Sequence, residues 1–365
     1  MGGAVRDAIL NKKSSDQDFL LIGADAELLL KVGFIPVGKD FPVFLHPVSK
    51  NEVALARTEK KTGIGYKGFK FDSSKTVSLK DDLKRRDLTV NALALDENGE
   101  LFDFFSGLSD LKHKIFRHIG PEFSEDPLRL IRLARFLSTH SEFTVHPDTF
   151  ELCKKIVSND EIKTLSKERI WQEFSKGLMG EKPIKMINFL EITHAWEIIT
   201  KAKNLTEINK NRLIYSTKAK LSQFWKAALI FLDCDISKIH CLIPKEVISY
   251  KNILVNANIL KSTLIKNEKS EKNLPLLILD FMESSDFFRK PDRISSLLKI
   301  MFYQDEDDMD SVIDNYFKTF STIFSTVVQT SVADVAKRAS RENKSIKNEI
   351  RIYRIKIIHE VLNTT

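Results

Sequence analysis

Residues 2–22 read Gly2-Gly3-Ala4-Val5-Arg6-Asp7-Ala8-Ile9-Leu10-Asn11-Lys12-Lys13-Ser14-Ser15-Asp16-Gln17-Asp18-Phe19-Leu20-Leu21-Ile22. A glycine turn running into a short helix is expected over residues 2–11, followed by the polar break Lys12–Asp16 and a strand over residues 17–22 that ends at Gly23. Side chains alternate along a strand, so Asp16 and Asp18 would share a face and Gln17 would point away. Two adjacent carboxylates repel unless a cation lies between them. A hard divalent ion such as Mg²⁺ accepts that oxygen environment and keeps positions open for phosphate oxygens. Two glycines before a helix let backbone N–H groups approach phosphates, and Arg6 could add a bidentate contact. Each piece alone also has a plain reading: a helix entry turn, or a pair of surface acids.

Outward from this stretch, the chain reads as mixed α/β to about residue 105. Residues 26–32 suggest a short helix, and residues 41–46 and 52–58 suggest a hairpin turning at 47–51. Gly63, Gly65 and Gly68, then residues 72–75, read as a loop, and residues 88–96 and 100–105 as a second hairpin around Asn98-Gly99. From about Asp110 the apolar spacing becomes helical and stays so, with helices expected over 127–137, 147–156, 167–177, 183–192 and 224–232. Asp305–Asp310 is a short acidic run that reads as a solvated loop.

The chain has 365 residues, enough for two or three compact units, and 42% of them are apolar and 29% charged. Its 57 basic and 50 acidic residues leave +7, a mild argument for a polyanionic partner. No apolar run approaches the roughly 18 residues of a spanning helix, so no membrane is expected. The first residues lack the basic and apolar regions of a signal peptide, and Arg6 stands where a myristoylation motif needs Ser or Thr. Cys153, Cys234 and Cys241 are odd in number and lack CxxC spacing, so neither a disulfide framework nor a zinc knuckle is expected, and a reducing cytoplasm is the default compartment.

Two further segments carry possible chemistry. Arg85-Arg86-Asp87 precedes the apolar run Leu88–Leu93; an arginine pair at a strand start could clamp a triphosphate or form a surface ion pair. In Glu125-Asp126-Pro127-Leu128-Arg129, Pro127 suits a first helical turn, which Glu125 or Asp126 could cap. Asp126 and Arg129 are three apart, on one helical face, and Arg132 and Arg135 continue the stripe among Leu128, Leu130, Ile131, Leu133 and Phe136. That much arginine in an apolar helix calls for an anionic partner. A carboxylate accepting from an exocyclic amine, beside an arginine donating to a ring nitrogen, would select cytosine and adenine over uracil and guanine. The alternative is a capped helix with internal salt bridges.

Together and in this order these motifs resemble the class II tRNA nucleotidyltransferases, the bacterial CCA-adding enzymes and their poly(A) polymerase relatives. The matching pieces are GGAVRD (2–7), Asp16–Asp18, RRDLTVNAL (85–93), EDPLR (125–129) and RIWQE (169–173). FPVFLHP (41–47), ALARTEKK (54–61), GIGYKGF (63–69) and DDLKRRD (81–87) look more like the CCA-adding branch, and FFRKPDR (287–293) is similar to a distal stretch of members that carry an HD domain. The resemblance is strong over residues 1–180 and thin beyond. It implies an α+β fold: a polymerase-β-like head over 1–111, an all-helical neck over 112–180 and a helical body and tail over 181–365. It implies addition of C, C and A to tRNA 3′ ends from CTP and ATP without a nucleic-acid template, with a poly(A)- or A-adding enzyme or an inactive RNA-binding relative as alternatives. By the same resemblance Asp16 and Asp18 would bind Mg²⁺, with Asp87 helping to complete the catalytic site. Gly3, Arg6, Arg86, Arg132 and Arg135 would hold the triphosphate, and Asp126 and Arg129 would read the base. The partner would be the tRNA acceptor stem and elbow; no protein partner is inferred. The segment 63–77 is the expected seat of the C-to-A switch.

Two departures from the family pattern stand out. Relatives carry an apolar strand ahead of the Gly-Gly pair, whereas Met1 stands where that strand should end; the expectation is a late start to this sequence. In AALIFLDCD (227–235) Leu232-Asp233 replaces His-Asp, so no metal-dependent phosphohydrolase activity is expected. Lys344, Lys347, Arg351 and Arg354 recur on one helical face, which could meet RNA phosphates or simply face water, and Trp171 is read as core packing.

Overall fold

The computed structural model describes residues 1–13, 17–37, 43–61, 69–265, 274–303 and 311–364. The chain divides into two compact units, Met1–Asn204 with Lys238–Leu242, and Leu205–Ser237 with Ile243–Thr365.

The first unit begins with helix α1 (Gly3–Ile9), strand β1 (Phe19–Leu21), α2 (Ala26–Lys31), β2 (Ile35–Val37), β3 (Val43–Leu45) and β4 (Glu52–Leu55). Among the described residues these strands form one sheet in the order β1-β4-β3-β2, with β1 parallel to β4 and the other pairs antiparallel. Leu29, Phe44 and Leu55 fill its core. The expected hairpin is present, closed where His46 N–H donates to the Asn51 carbonyl at 2.9 Å. The expected strand over 17–22 is shorter, because only residues 19–21 find partners on β4.

Strands β5 (Thr58–Lys61) and β6 (Phe69–Asp72) pair antiparallel, partly within the stretch read as a loop. The sequence Thr-Glu-Lys-Lys lacks apolar alternation, so this hairpin, held through its backbone, left no periodic signal. Helix α3 (Leu79–Lys84) starts at a capping box between Ser78 and Asp81. Strands β7 (Leu93–Leu95) and β8 (Leu101–Asp103) form the second expected hairpin, with Gly99 at φ 83° in its turn. Leu88–Asn91 is a correction. Thr89–Asn91 is a 3-10 turn rather than strand, and Arg85 terminates α3 instead of opening a strand. Leu88, Val90, Ala92 and Leu93 are all buried, so apolar periodicity could not tell a turn from a strand here.

After α4 (Gly107–His113) and β9 (Ile115–Phe116), the unit continues with α5 (Leu128–Thr139), β10 (Thr144–Val145), α6 (Pro147–Ser158), α7 (Lys167–Leu178), α8 (Pro183–Ile192) and α9 (Ala195–Thr200). Helices α5 to α8 coincide closely with the expected spans. Helix α5 packs on α7 and α8, and Leu130, Ile131, Leu133, Phe174, Met186 and Leu190 on these helices are buried. Gly177 permits that approach: a Cβ there would run into the Met186 sulfur, and the Ser138 hydroxyl donates to the Gly177 carbonyl at 2.6 Å. Trp171 is half-buried rather than core.

The second unit comprises α10 (Glu207–Lys218), α11 (Gln223–Ile230), α12 (Lys245–Ile265), α13 (Leu274–Ser284), α14 (Asp292–Met301), α15 (Ser311–Gln329), α16 (Ala333–Arg341) and α17 (Ile346–Thr364). Its core includes Trp225, Leu229, Ile278, Phe287, Phe320, Phe324 and Ile358. At the segment that departs from His-Asp, Asp233 accepts from the Asn209 amide at 2.9 Å, and the Lys251 ammonium donates to the Phe231, Leu232 and Cys234 carbonyls at 2.8, 2.8 and 2.6 Å. The basic stripe near the C-terminus is a second correction. Lys344 precedes α17 and pairs with Glu342. Arg351 turns inward to Asp280 and Glu283 of α13, and the Arg354 guanidinium lies 3.6 Å from the Phe288 ring centre. The arginine stems cover apolar surface while their heads find partners within the unit, so the stripe is no continuous exposed face. Asp305–Asp310 lies outside the described residues. Among the described residues no helix is long and apolar enough to cross a membrane, and all three cysteines are buried and outside any disulfide.

Candidate active site

A cavity of about 670 Å³ opens in the first unit among α1, the turn after α3, the start of α5 and one face of α7. It gathers Gly3, Arg6, Asp18, Arg86, Asp87, Asp126, Arg129, Arg132 and Arg135, nine residues from four separate stretches of the sequence. Asp16 lies outside the described residues.

The glycine pair is resolved by backbone geometry. Gly2 has φ 68°, a backbone conformation that strains any residue with a side chain, and a Cβ on it would lie 2.7 Å from the Arg86 guanidinium and push that group aside. Gly3 is helical, and a Cβ there would meet only Arg6 at ordinary distance. The conformationally constrained position of the pair is therefore Gly2, while Gly3 lines the cavity. Helix α1 delivers Arg6 into the buried interior, where its guanidinium donates to the Asn91 side-chain oxygen at 2.6 Å and pairs with Asp7 at 2.8 Å.

Asp87 anchors the next layer. Its carboxylate accepts from Arg132 Nε, Asn91 Nδ2 and the Leu88 backbone N–H, each at 2.9 Å. Burial by itself would raise its pKa. The Arg132 charge, with the Asn91 hydrogen bond and Arg129, outweighs burial and holds the carboxyl well below the usual range. The same pair raises the pKa of Arg132. Asp87 is thus a permanent anion that fixes Asn91 and Arg132, and through Asn91 it reaches Arg6.

Arg85 and Arg86 do not act as a matched clamp. Arg85 donates to Asp82, Glu59 and the Arg57 carbonyl at 2.7–3.1 Å, which ties it to α3 and β5. Arg86 faces Gly2 and lies 3.6 Å from Asp82.

The couple expected to read a base is also divided. Asp126 precedes α5, accepts the Leu128 N–H at 3.1 Å and pairs with Arg169 of α7 at 2.8 Å. Arg129 donates to the backbone carbonyls of Arg85, Glu122 and Arg86 at 2.5, 2.9 and 3.4 Å. Both side chains line the cavity, each held by protein partners rather than by the other. Arg132 and Arg135 find Glu173 of α7, at 3.8 and 2.5 Å. Arg169 and Glu173 lie four apart on one face of α7, so a single helical turn supplies both the cation for Asp126 and the anion for the α5 arginines. Asn91, Arg169 and Glu173 fall within the quoted motifs but carry no role in the sequence pattern itself; their only local signal is spacing, Asn91 four residues after Asp87 and Glu173 four after Arg169.

Asp18 differs from these carboxylates. It is exposed at the cavity, and among the described residues its carboxylate makes no hydrogen bond or ion pair, only its backbone carbonyl accepting from the N-terminal ammonium at 2.8 Å. A free oxygen donor facing a phosphate-sized cavity fits a hard divalent cation such as Mg²⁺.

Residues 1–117 match the poly A polymerase head domain family, and residues 142–212 match the family described as a probable RNA and SrmB-binding site of polymerase A. The CCA-adding enzyme of Bordetella bronchiseptica is 38% identical over 301 residues, 82% of this chain and 81% of that protein. The chain belongs to the class II nucleotidyltransferase family of the CCA-adding enzymes. Within that family, the multifunctional CCA protein of Leptothrix cholodnii is 51% identical over 190 residues, 52% of this chain and 45% of that one. The chain therefore spans about half the length of such relatives. In fold, the class II nucleotidyltransferase chain is similar to the crystal structure of the Bacillus stearothermophilus CCA-adding enzyme in complex with CTP, with a TM-score of 0.65 at 22% identity, covering 98% of this chain and 88% of that one.

Proposed function

We propose that this protein adds C, C and A to the 3′ end of tRNA, using CTP and ATP and no nucleic-acid template. The observation that carries the reading is the shared cavity: Asp18, whose carboxylate makes no hydrogen bond or ion pair among the described residues, opens onto the same space as the α5 arginines and Asp126. In this reading the head, neck, and body with tail correspond to residues 1–111, 112–180 and 181–365. The RNA 3′-hydroxyl attacks the nucleotide α-phosphorus, and pyrophosphate leaves. Asp18, with Asp16, would hold Mg²⁺, which when bound supplies charge neutralisation and activates the attacking oxygen. Arg6, Arg86, Arg132 and Arg135 surround the triphosphate. Asp87 positions Arg132 rather than touching the reacting atoms. Asp126 and Arg129 read the base by exchanging Arg169 and the backbone carbonyls for the exocyclic amine and ring nitrogen of cytosine or adenine, an edge that uracil and guanine present in reverse.

The test is incubation with a tRNA ending before CCA and labelled CTP or ATP, separately and together. The expected result is two C additions with CTP alone and a complete CCA end with both. Asp18→Asn should lower the rate by roughly two to three orders of magnitude, and Asp126→Asn should admit UTP and GTP. Runs of A would point instead to a poly(A)-adding enzyme, and no incorporation at all would overturn the proposal.

A further inference from the structure

The charges around the cavity are unevenly matched. Arg6 pairs with Asp7, Arg85 with Glu59 and Asp82, Arg132 with Asp87, Arg135 with Glu173, and Arg169 with Asp126. Arg86 faces Asp82, and Arg129 is bonded to backbone carbonyls. The arginines are therefore largely neutralised or occupied before any ligand arrives. Two cations at the same cavity are not. Lys13, after α1, and Lys176, in the last turn of α7, are both exposed, both line the cavity, and among the described residues neither makes an ion pair or a side-chain hydrogen bond.

We propose that Lys13 and Lys176 bind phosphate oxyanions at the mouth of the active site, a role that rests on the nucleotidyltransferase reading above. Attraction for an incoming polyanion comes from uncompensated charge. A guanidinium already facing a carboxylate contributes chiefly local dipoles and hydrogen bonds. An unpaired ammonium acts as a hydrated point charge on a long flexible stem, able to follow a phosphate group without breaking an existing pair. The two lysines come from different elements, so they can approach a ligand from separate parts of the rim. The phosphates belong either to the tail of the nucleoside triphosphate or to the backbone of the acceptor RNA.

The experiment compares the wild type with Lys13→Gln/Lys176→Gln in two arms. In the first, affinities are measured for CTP and ATP, with CMP and AMP as controls. A triphosphate affinity reduced roughly tenfold, with the monophosphates unchanged, places the lysines on the nucleotide tail. In the second, tRNA affinity is measured against salt. A logarithmic slope reduced by about one per lysine places them on the RNA backbone. Lys13→Arg/Lys176→Arg should restore most of either loss, and the melting temperature should stay unchanged throughout. If the double Gln variant matches the wild type in both arms, the proposal is overturned. Should the wild type bind triphosphate yet transfer no nucleotide, the nucleotidyltransferase reading fails while the two arms still decide the role of the lysines. A wild type that binds neither ligand overturns both.

Discussion

Helices α5 and α17 carry arginine stripes that look alike in the sequence, and the fold uses them differently. On α5, Arg129, Arg132 and Arg135 line a cavity, and α7 and the turn after α3 hold them in place through Glu173, Asp87 and backbone carbonyls. On α17, Arg351 and Arg354 close onto α13 and Phe288 as part of the packing of their own unit. Arginine periodicity identifies a helical face but not what that face meets. A ligand-facing stripe is recognised by a second tier of carboxylates that fixes the arginines while leaving space in front of them. A packing stripe has its partners where that space would be.

Glu173→Gln is the strongest way to break this comparison. Its side chain is only 8% exposed and serves two arginines, so removing the charge should cost roughly 3–5 kcal/mol in chemical denaturation and weaken triphosphate binding as well. A loss of stability with unchanged nucleotide affinity would reduce the α5 stripe to packing.

A smaller effect comes from acid. His140 Nε2 donates to the Asp7 carboxylate at 3.4 Å, and burial, aided by Arg6 and Lys12, pushes its pKa down to about 4. The unfolded chain takes up this proton near pH 6.5, before the folded one does. Stability should therefore fall as pH drops from about 6.5 toward 4, by up to about 3 kcal/mol, and His140→Gln should flatten that part of the profile. Asp87, with its depressed pKa, holds its pair through this range and loses it only in stronger acid, below the ordinary carboxylate value. A pH profile that His140→Gln leaves untouched would refute the assignment.

Arg351→Met should have the smallest effect. Arg351 is 26% exposed and Asp280 52%, so the loss should stay below about 1 kcal/mol, with nucleotide binding unchanged. A cost matching that of Glu173→Gln, or any change in triphosphate affinity, would erase the distinction between the two stripes.

Much of the fold was legible because it depends on local chemistry. The helix over 183–192 is marked by Pro183 at its first turn, and the β7–β8 hairpin by Asn98-Gly99, since a left-handed turn residue is needed there. The β5–β6 hairpin and the 3-10 turn at 89–91 were missed, one because polar strands pair through their backbone, the other because a fully buried run has no periodicity to read. At the site, residue types and order pointed to Asp18, Asp126 and the α5 arginines. Which glycine of the pair carries the turn was not legible, because the positive φ of Gly2 is set by the packing around it, while Gly3 begins the helix and lines the cavity.

By itself the sequence determined that this chain has an α/β head, a run of helices, and acidic and basic groups suited to a metal and a triphosphate, because turns, caps and apolar spacing act over a few residues. Only the tertiary structure decided which of those charges are free. Asp87 meets Arg132 across 45 positions, and Asp126 meets Arg169 across 43. Ion pairing over such separations depends on how helices pack, and no local pattern in the chain records it.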